Sequence, residues 1–589
     1  MTQSISQLFS RLWQHMSLRR RFQFALLLVL MVFASFAEIL SIGTVLPFLS
    51  ILTDPARVFE HPSAQPIVQA LGITEPKQLL KPITIAFVIA AFIAGVMRLL
   101  LLWVNTRLSF AAGSDLSISI YRRTLYQPYA VHVARNSSEI INGISSKTGN
   151  AISTINLILN LISSSATLIA ILIALLSVEP VVALIAFGGF GLIYVFITIL
   201  ARNRLLANSQ IVARESTYVI KSLQEGLGGI RDVLINGSQN VYCKIYLKAD
   251  RPLRRAQGSN SFISSSPRFA METLGILLIT ALAFKLAMRQ DGIAHAIPIL
   301  GALALGAQRM LPLFQQVYSS WTSILAGRVS LQDTLDLLDQ PLPDYSYQQP
   351  AEPLPFRQQI ILKQLSFRYS LQAPWVLENL NLVITKGSRV GFMGVTGSGK
   401  STLLDIVMGL LQPTNGEIYV DDQPITLANM RAWQSHIAHV PQAIFLSDST
   451  IEENIAFGVP KDQIDQARVR KVAEQAQISS IIETWPKLYE THVGERGIRL
   501  SGGQRQRIGI ARALYRKADV IILDEATSAL DNETEQAVMR VIENLSKDLT
   551  ILIIAHRLTT LKSCTKVVEL NEGGTLRIGS YGDLAAGVL

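Results

Sequence analysis

The stretch GFMGVTGSGKSTLL, Gly391 to Leu404, organises the reading of the whole chain. Gly394, Gly397 and Gly399 leave no side chains between an anion and the backbone, so successive N–H groups can converge on phosphate oxygens. Lys400 adds a positive charge for the β and γ phosphates, and Ser401 adds a hydroxyl able to ligand Mg²⁺. Thr396, Ser398 and Thr402 complete the candidate nucleotide-binding set. The preceding Arg389–Val395 is short, apolar and β-branched, which predicts a strand, and Ser401–Leu411 has helical periodicity. Strand, glycine loop and helix in that order are the context a phosphate loop requires, because the helix N-terminus adds its partial positive charge. A chance glycine-rich turn would have neither flank.

With 49% apolar and 16% charged residues, the 589-residue chain is too oily for an ordinary soluble protein. The excess lies in residues 1–330, which carry 28 Lys/Arg against 13 Asp/Glu, whereas residues 331–589 carry 25 against 30. The basic balance therefore belongs to the apolar half and points to a membrane, not to nucleic acid, which would want basic residues interleaved with aromatics on a soluble domain. Cys243 and Cys564 are too few and too far apart for a disulfide framework or a zinc site. The apolar run after Arg19–Arg21 is longer than a signal-peptide core and has no small-residue cleavage site, so it reads as an anchor that stays.

Six stretches are long enough to span a bilayer, for which about 20 apolar residues suffice: Phe24–Leu49, Ile83–Val104, Ile152–Val178, Val181–Leu200, Phe269–Ala287 and Ala296–Val317. The connectors between spans two and three and between four and five carry 16 Lys/Arg, which predicts that they, the N-terminus and the C-terminal half are cytoplasmic. Both connectors are helix-compatible and predict antiparallel extensions reaching about 45 Å from the membrane. Thr53–Lys81 then faces outward, with Pro66–Ile73 as either an interfacial helix or a surface loop. Glu38, Arg98, Glu272 and Arg309 are ionisable residues inside apolar surroundings, where charge is costly, so each faces a cavity or an ion-pair partner. Glu38, Arg98 and Arg309 are the candidates for a translocation path taken by an anionic substrate.

Five prolines between Leu337 and Pro355 mark a boundary, giving a transmembrane domain at 1–335, a linker at 336–355 and an α/β domain at 356–589. The apolar strand Val520–Leu523 ends in Asp524, placed to hold Mg²⁺, and Glu525, placed as general base for the attacking water. A second strand, Thr550–Ile554, delivers His556 to the same edge. Ser501-Gly502-Gly503-Gln504 opens another helix and supplies a second anion-binding N-terminus.

With LSGGQ at Leu500–Gln504, VIILDE at Val520–Glu525 and Gln442 after a further strand, the C-terminal half resembles the nucleotide-binding domain of ATP-binding cassette (ABC) transporters. The resemblance implies Tyr369 as an adenine-stacking aromatic and Gln442 as the Q-loop glutamine, a magnesium ligand and a catalytic residue with Glu525 and His556. It further implies Glu495 in an exporter-type motif, Ser528–Asp531 as the D-loop, and ATP with Mg²⁺ as cofactors. The fold implied is an N-terminal all-α six-helix transmembrane domain of the type I exporter kind plus a C-terminal α/β P-loop ATPase. In that family the signature of one copy completes the phosphate loop of another; one of each motif here implies a half-transporter, and intact Glu525 and LSGGQ favour a homodimer. Glu38 with Pro47-Phe48, the long outward segment and Arg309-x-x-Pro312 resemble bacterial lipid-linked oligosaccharide flippases and envelope glycolipid exporters of the inner membrane. A general lipid or multidrug exporter is the alternative, and a flux measurement separates either from an ATP-gated channel.

Overall fold

The computed structural model describes residues 3–53, 55–60, 65–70, 72–176, 180–287, 293–343, 346, 352–525, 532–543, 548–555, 558–571 and 576–582. The chain divides into two compact units, Met1–Gln127 with His132–Pro343, and Pro128–Val131 with Asp344–Leu589.

The first unit is helical. Its main helices are α1 (Leu18–Gly43), α2 (Leu80–Leu125), α3 (Thr148–Leu176), α4 (Pro180–Gly228), α5 (Pro267–Ala287) and α6 (Ile293–Leu338), and every predicted span is helical over most of its length. Among the described residues, Leu18–Ser41, Pro76–Leu125, Ser137–Ala174 and Phe187–Gly228 are long and apolar enough to cross a membrane by length and composition. Large apolar side chains such as Phe33, Phe92, Leu102, Phe196 and Phe269 are exposed on these helices, which suits a hydrocarbon solvent. The first span departs from its predicted bounds. The helix lapses at Thr44 and resumes at Val45–Thr53, because Pro47 has no N–H to offer the Gly43 carbonyl. The Thr44 hydroxyl instead donates to the carbonyls of Leu40 and Ser41 at 3.2 and 2.9 Å.

Helices α2, α4 and α6 contain 46, 49 and 46 residues. At 1.5 Å per residue each is about 70 Å long, more than twice a hydrocarbon core of about 30 Å, so the predicted extensions are continuous with the spans. Helix α4 packs along Gln239–Ser265, with Asn208 Nδ2 donating to Asn260 Oδ1 at 2.8 Å. The segment after the first span forms short helices gathered round Ile51, Val68 and Leu79. At the N-terminus, Ser4 and Gln7 form a reciprocal cap on Ile5–Gln14, whose Leu8 and Leu12 enter a core with Leu27, Ile120 and Leu335.

Among the described residues the second unit contains two sheets. An antiparallel one has order β2-β1-β4-β5, from β1 (Gln359–Phe367), β2 (Leu377–Thr385), β4 (Asn415–Val420) and β5 (Gln423–Pro424). The other has order β10-β9-β3-β8-β7-β6, from β3 (Arg389–Met393), β6 (Ile437–Val440), β7 (Val520–Asp524), β8 (Thr550–Ile554), β9 (Lys566–Leu570) and β10 (Leu576–Gly579). Strands β9, β3, β8, β7 and β6 run parallel, and β8 is buried throughout, as a strand covered on both faces should be. Register places Phe392 beside Ile554 and Ile554 beside Asp524, so β3, β8 and β7 end level with one another. Neighbouring strands lie about 4.8 Å apart, which sets the end of β7 roughly 10 Å from the start of the glycine loop.

Candidate active site

The glycine loop leaves β3 at Met393 and enters α7 (Lys400–Val407). Gly394, Gly397 and Gly399 take φ of 144°, 88° and 91°, a region that side chains with a Cβ disfavour. At Gly394 the space is closed as well, since a Cβ there would lie 2.2 Å from the Leu570 carbonyl oxygen. The Lys400 ammonium folds into the loop and donates to the carbonyls of Gly394 at 2.8 Å and Val395 at 2.9 Å. Burial lowers the ammonium's pKa below the ordinary lysine value, opposed by Glu525 and Asp524. Ser401 is exposed on the first turn of α7, and Thr402 is buried with its hydroxyl 2.9 Å from the Tyr369 hydroxyl. Tyr369 is 57% exposed and its ring is perpendicular to that of Phe367, which leaves a face for stacking.

Asp524 ends β7, and Glu525 turns out of the strand with φ 47° while its N–H donates to the Ile554 carbonyl at 3.1 Å. The Glu525 carboxylate accepts from Gln442 Nε2 at 2.6 Å, joining two predicted catalytic residues 83 positions apart. His556 and Ser528–Asp531 lie outside the described residues.

The Ser501 hydroxyl accepts from the Gln504 N–H at 3.2 Å, and Gln504 Oε1 accepts from the Ser501 N–H at 2.8 Å, a reciprocal cap that starts α8 (Gly502–Tyr515). Gly502 and Gly503 form the first turn, and Glu495 sits in a short turn nearby in sequence. Among the described residues, the side-chain bonds of Ser501 and Gln504 stay within the cap.

Two features escaped the sequence reading. Arg512 on α8 donates to the carbonyls of Asn454 and Phe445, both at 2.9 Å, and lies over the Phe457 ring. Burial lowers its pKa to about 10. Asn454, fully buried, binds Ser447, Ser449 and Arg512, so the segment following Gln442 is tied to the signature helix. The second is Asp405, an acid in the otherwise apolar second turn of α7. Burial, with a contribution from Asp524, pushes its carboxyl up to about 6. Its presence inside KSTLLDIV was the available signal.

A loop closed to a side chain at Gly394 and Gly399, an ammonium at its centre, an exposed serine hydroxyl and two carboxylates at one sheet edge fit a nucleoside triphosphate. The phosphates would replace the neutral carbonyls now contacting Lys400, since charge-assisted bonds are the stronger. In the first unit, Glu38 and Arg98 form an ion pair at 2.5 Å, and Glu272 pairs with Arg268 at 2.7 Å. Arg309 lies on α6, with its side chain outside the described ones.

Residues 377–528 match the ABC transporter family model, and residues 22–292 match the ABC transporter transmembrane region. An ATP-dependent lipid A-core flippase of Cupriavidus metallidurans is 27% identical over 500 residues, 84% of this chain and 83% of that protein. One of Alkalilimnicola ehrlichii is 31% identical over 428 residues, 72% of this chain and 71% of that protein. A solved bacterial Atm1-family ABC exporter with ATP bound superposes with TM-score 0.78 at 23% identity, covering 97% of this chain and 96% of that one, a likeness of fold. With both family regions on one chain, the protein belongs to the ABC transporters as an exporter-type half-transporter, in which ATP hydrolysis is coupled to transport across a membrane.

Proposed function

We propose that the protein flips or exports an anionic glycolipid, with a lipid-linked oligosaccharide or a lipid A-core type molecule as cargo, by alternating access in a homodimer. The observation that carries this reading is the match over most of the chain to relatives named as lipid A-core flippases. Ser401, Gln442 and Asp524 would hold Mg²⁺, which supplies neutralisation of phosphate charge. Glu525, held by Gln442, is the general base, and His556 is a further catalytic residue that contacts the γ phosphate. Each copy carries one phosphate loop and one signature, so two copies make two composite sites. The basic connectors support an inner-membrane protein whose N-terminus and ATPase unit are cytoplasmic.

The test is ATP-dependent reorientation of a fluorescent lipid A-core glycolipid in proteoliposomes, with Glu525→Gln as the inactive control. Expected is accumulation in the far leaflet by the wild type alone. Transport of Hoechst 33342 with no movement or ATPase stimulation by the glycolipid would replace this reading with a multidrug exporter.

A further inference from the structure

A cavity of about 390 Å³ lies among α1, α2, α3 and α6, within the size range of small-molecule sites. Its lining includes the Glu38–Arg98 ion pair. The Glu38 side chain is 5% exposed and that of Arg98 51%, so a carboxylate inside the wall balances the guanidinium charge. Among the described residues the remaining polar lining is neutral. Asn105 Nδ2 donates to Asn160 Oδ1 at 2.7 Å, joining α2 to α3. Asn105 is only 4% exposed, and its Oδ1 has no hydrogen-bond partner among the described residues. A buried amide oxygen left unsatisfied is costly, and a ligand hydroxyl donating to it removes that cost.

The same wall carries Ser163 and Thr167, one turn apart on α3, and Gln308 and Gln316, two turns apart on α6. Amides and hydroxyls supply donors and acceptors of comparable strength without net charge. That is the complement of adjacent sugar hydroxyls, which both donate and accept, while Leu101, Leu102, Ile171 and Leu313 supply an apolar part of the same lining.

We propose that this cavity is a saccharide subsite, in which Asn105, Asn160, Ser163, Thr167 and the two glutamines read the uncharged sugar hydroxyls of the transported glycolipid. The subsite sets preference for lipid that carries core sugars over the same lipid without them and does not bind the anion. The proposal rests on the glycolipid reading of the cargo.

The test compares three probes on the full-length protein in nanodiscs: lipid A carrying core sugars, the same lipid A without them, and phosphatidylglycerol. ATPase stimulation and tryptophan-quenching affinity are both recorded. For wild type, the sugar-bearing probe should half-saturate at about tenfold lower concentration than the bare lipid, as expected for one or two hydrogen bonds. Asn105→Leu should remove that preference while leaving the bare-lipid affinity in place. Ser163→Ala with Thr167→Val, which deletes hydroxyls at nearly constant volume, carries the same test if the asparagine variant does not accumulate as folded protein by size exclusion. Equal affinity of wild type for the two lipid A forms overturns the subsite while the glycolipid function stands. Failure of all three probes to bind or stimulate overturns the functional reading itself. Loss of bare lipid A binding on Arg98→Ala, with sugar preference intact in Asn105→Leu, would show that the cavity binds the phosphate and overturn the proposal.

Discussion

At Gly394 one missing Cβ sets the shape of the phosphate loop, because φ 144° and a 2.2 Å approach to the Leu570 carbonyl both exclude a side chain. Gly394→Ala should lower stability by about 2–4 kcal/mol and abolish binding of a fluorescent ATP analogue, read by chemical denaturation and by titration. Glu525 illustrates a different dependence. Glu525→Gln keeps the size and the contact to Gln442 but removes the base, so hydrolysis should fall by about 10²-fold or more while nucleotide affinity is retained. Residual turnover close to wild type would move the base elsewhere. Asp405 gives a pH signature. Its folded pKa of about 6 lies above the ordinary carboxylate value, so its favourable contribution is complete below about 4 and is lost as pH rises through 6. Asp405→Asn should therefore raise the melting temperature at pH 7.5 and not at pH 4, by an amount worth about 1 kcal/mol after allowance for solvent screening.

Among the elements, the N-terminal helix Ile5–Gln14 shows how polar contacts fasten an amphipathic segment. Leu8 and Leu12 face the core, while Arg11 pairs with Asp336 at 2.8 Å and with Asp339, and His15 meets Asp339 at 2.6 Å. Burial alone would raise the Asp339 pKa, but hydrogen bonds from His15 and Arg11 hold it below the usual carboxylate range. Its contribution is present above the ordinary value near 4 and is lost as pH falls through the lowered one. Arg11→Ala should weaken docking by about 1 kcal/mol, seen as faster hydrogen exchange in Ile5–Gln14 at pH 7, with the difference from wild type shrinking toward pH 3. Long apolar runs predicted the spanning helices, but Ile5–Gln14, short and amphipathic, was not among them. The lapse at Thr44 came from Pro47, whose effect on a single carbonyl is invisible to an apolar count.

For the whole molecule, the proposed composite sites make activity a property of pairs. Lys400→Ala and Gly503→Asp chains should each be inactive alone. Coexpressed in equal amounts, they should recover about a quarter of wild-type hydrolysis, because half the dimers are mixed and each of those keeps one intact site. No recovery would argue against sharing of sites between copies. Sequence by itself determined the class of the protein: the glycine loop, the Ser501–Gln504 cap and the acidic end of β7 each depend on residues within a few positions of one another, so local order is enough to specify their chemistry. Long apolar runs likewise determined the helical half, because a bilayer demands internally bonded backbone. Tertiary structure alone decided which side chains meet. Gln442 and Glu525 are 83 residues apart, Arg512 and Asn454 are 58, and Asn105 and Asn160 are 55. Each pairing depends on strand order or on which helix faces pack together. It was also packing that turned Glu38 and Arg98 from two isolated charges into one neutral pair, since charge in a low-dielectric interior is stable only where the fold brings its partner within reach.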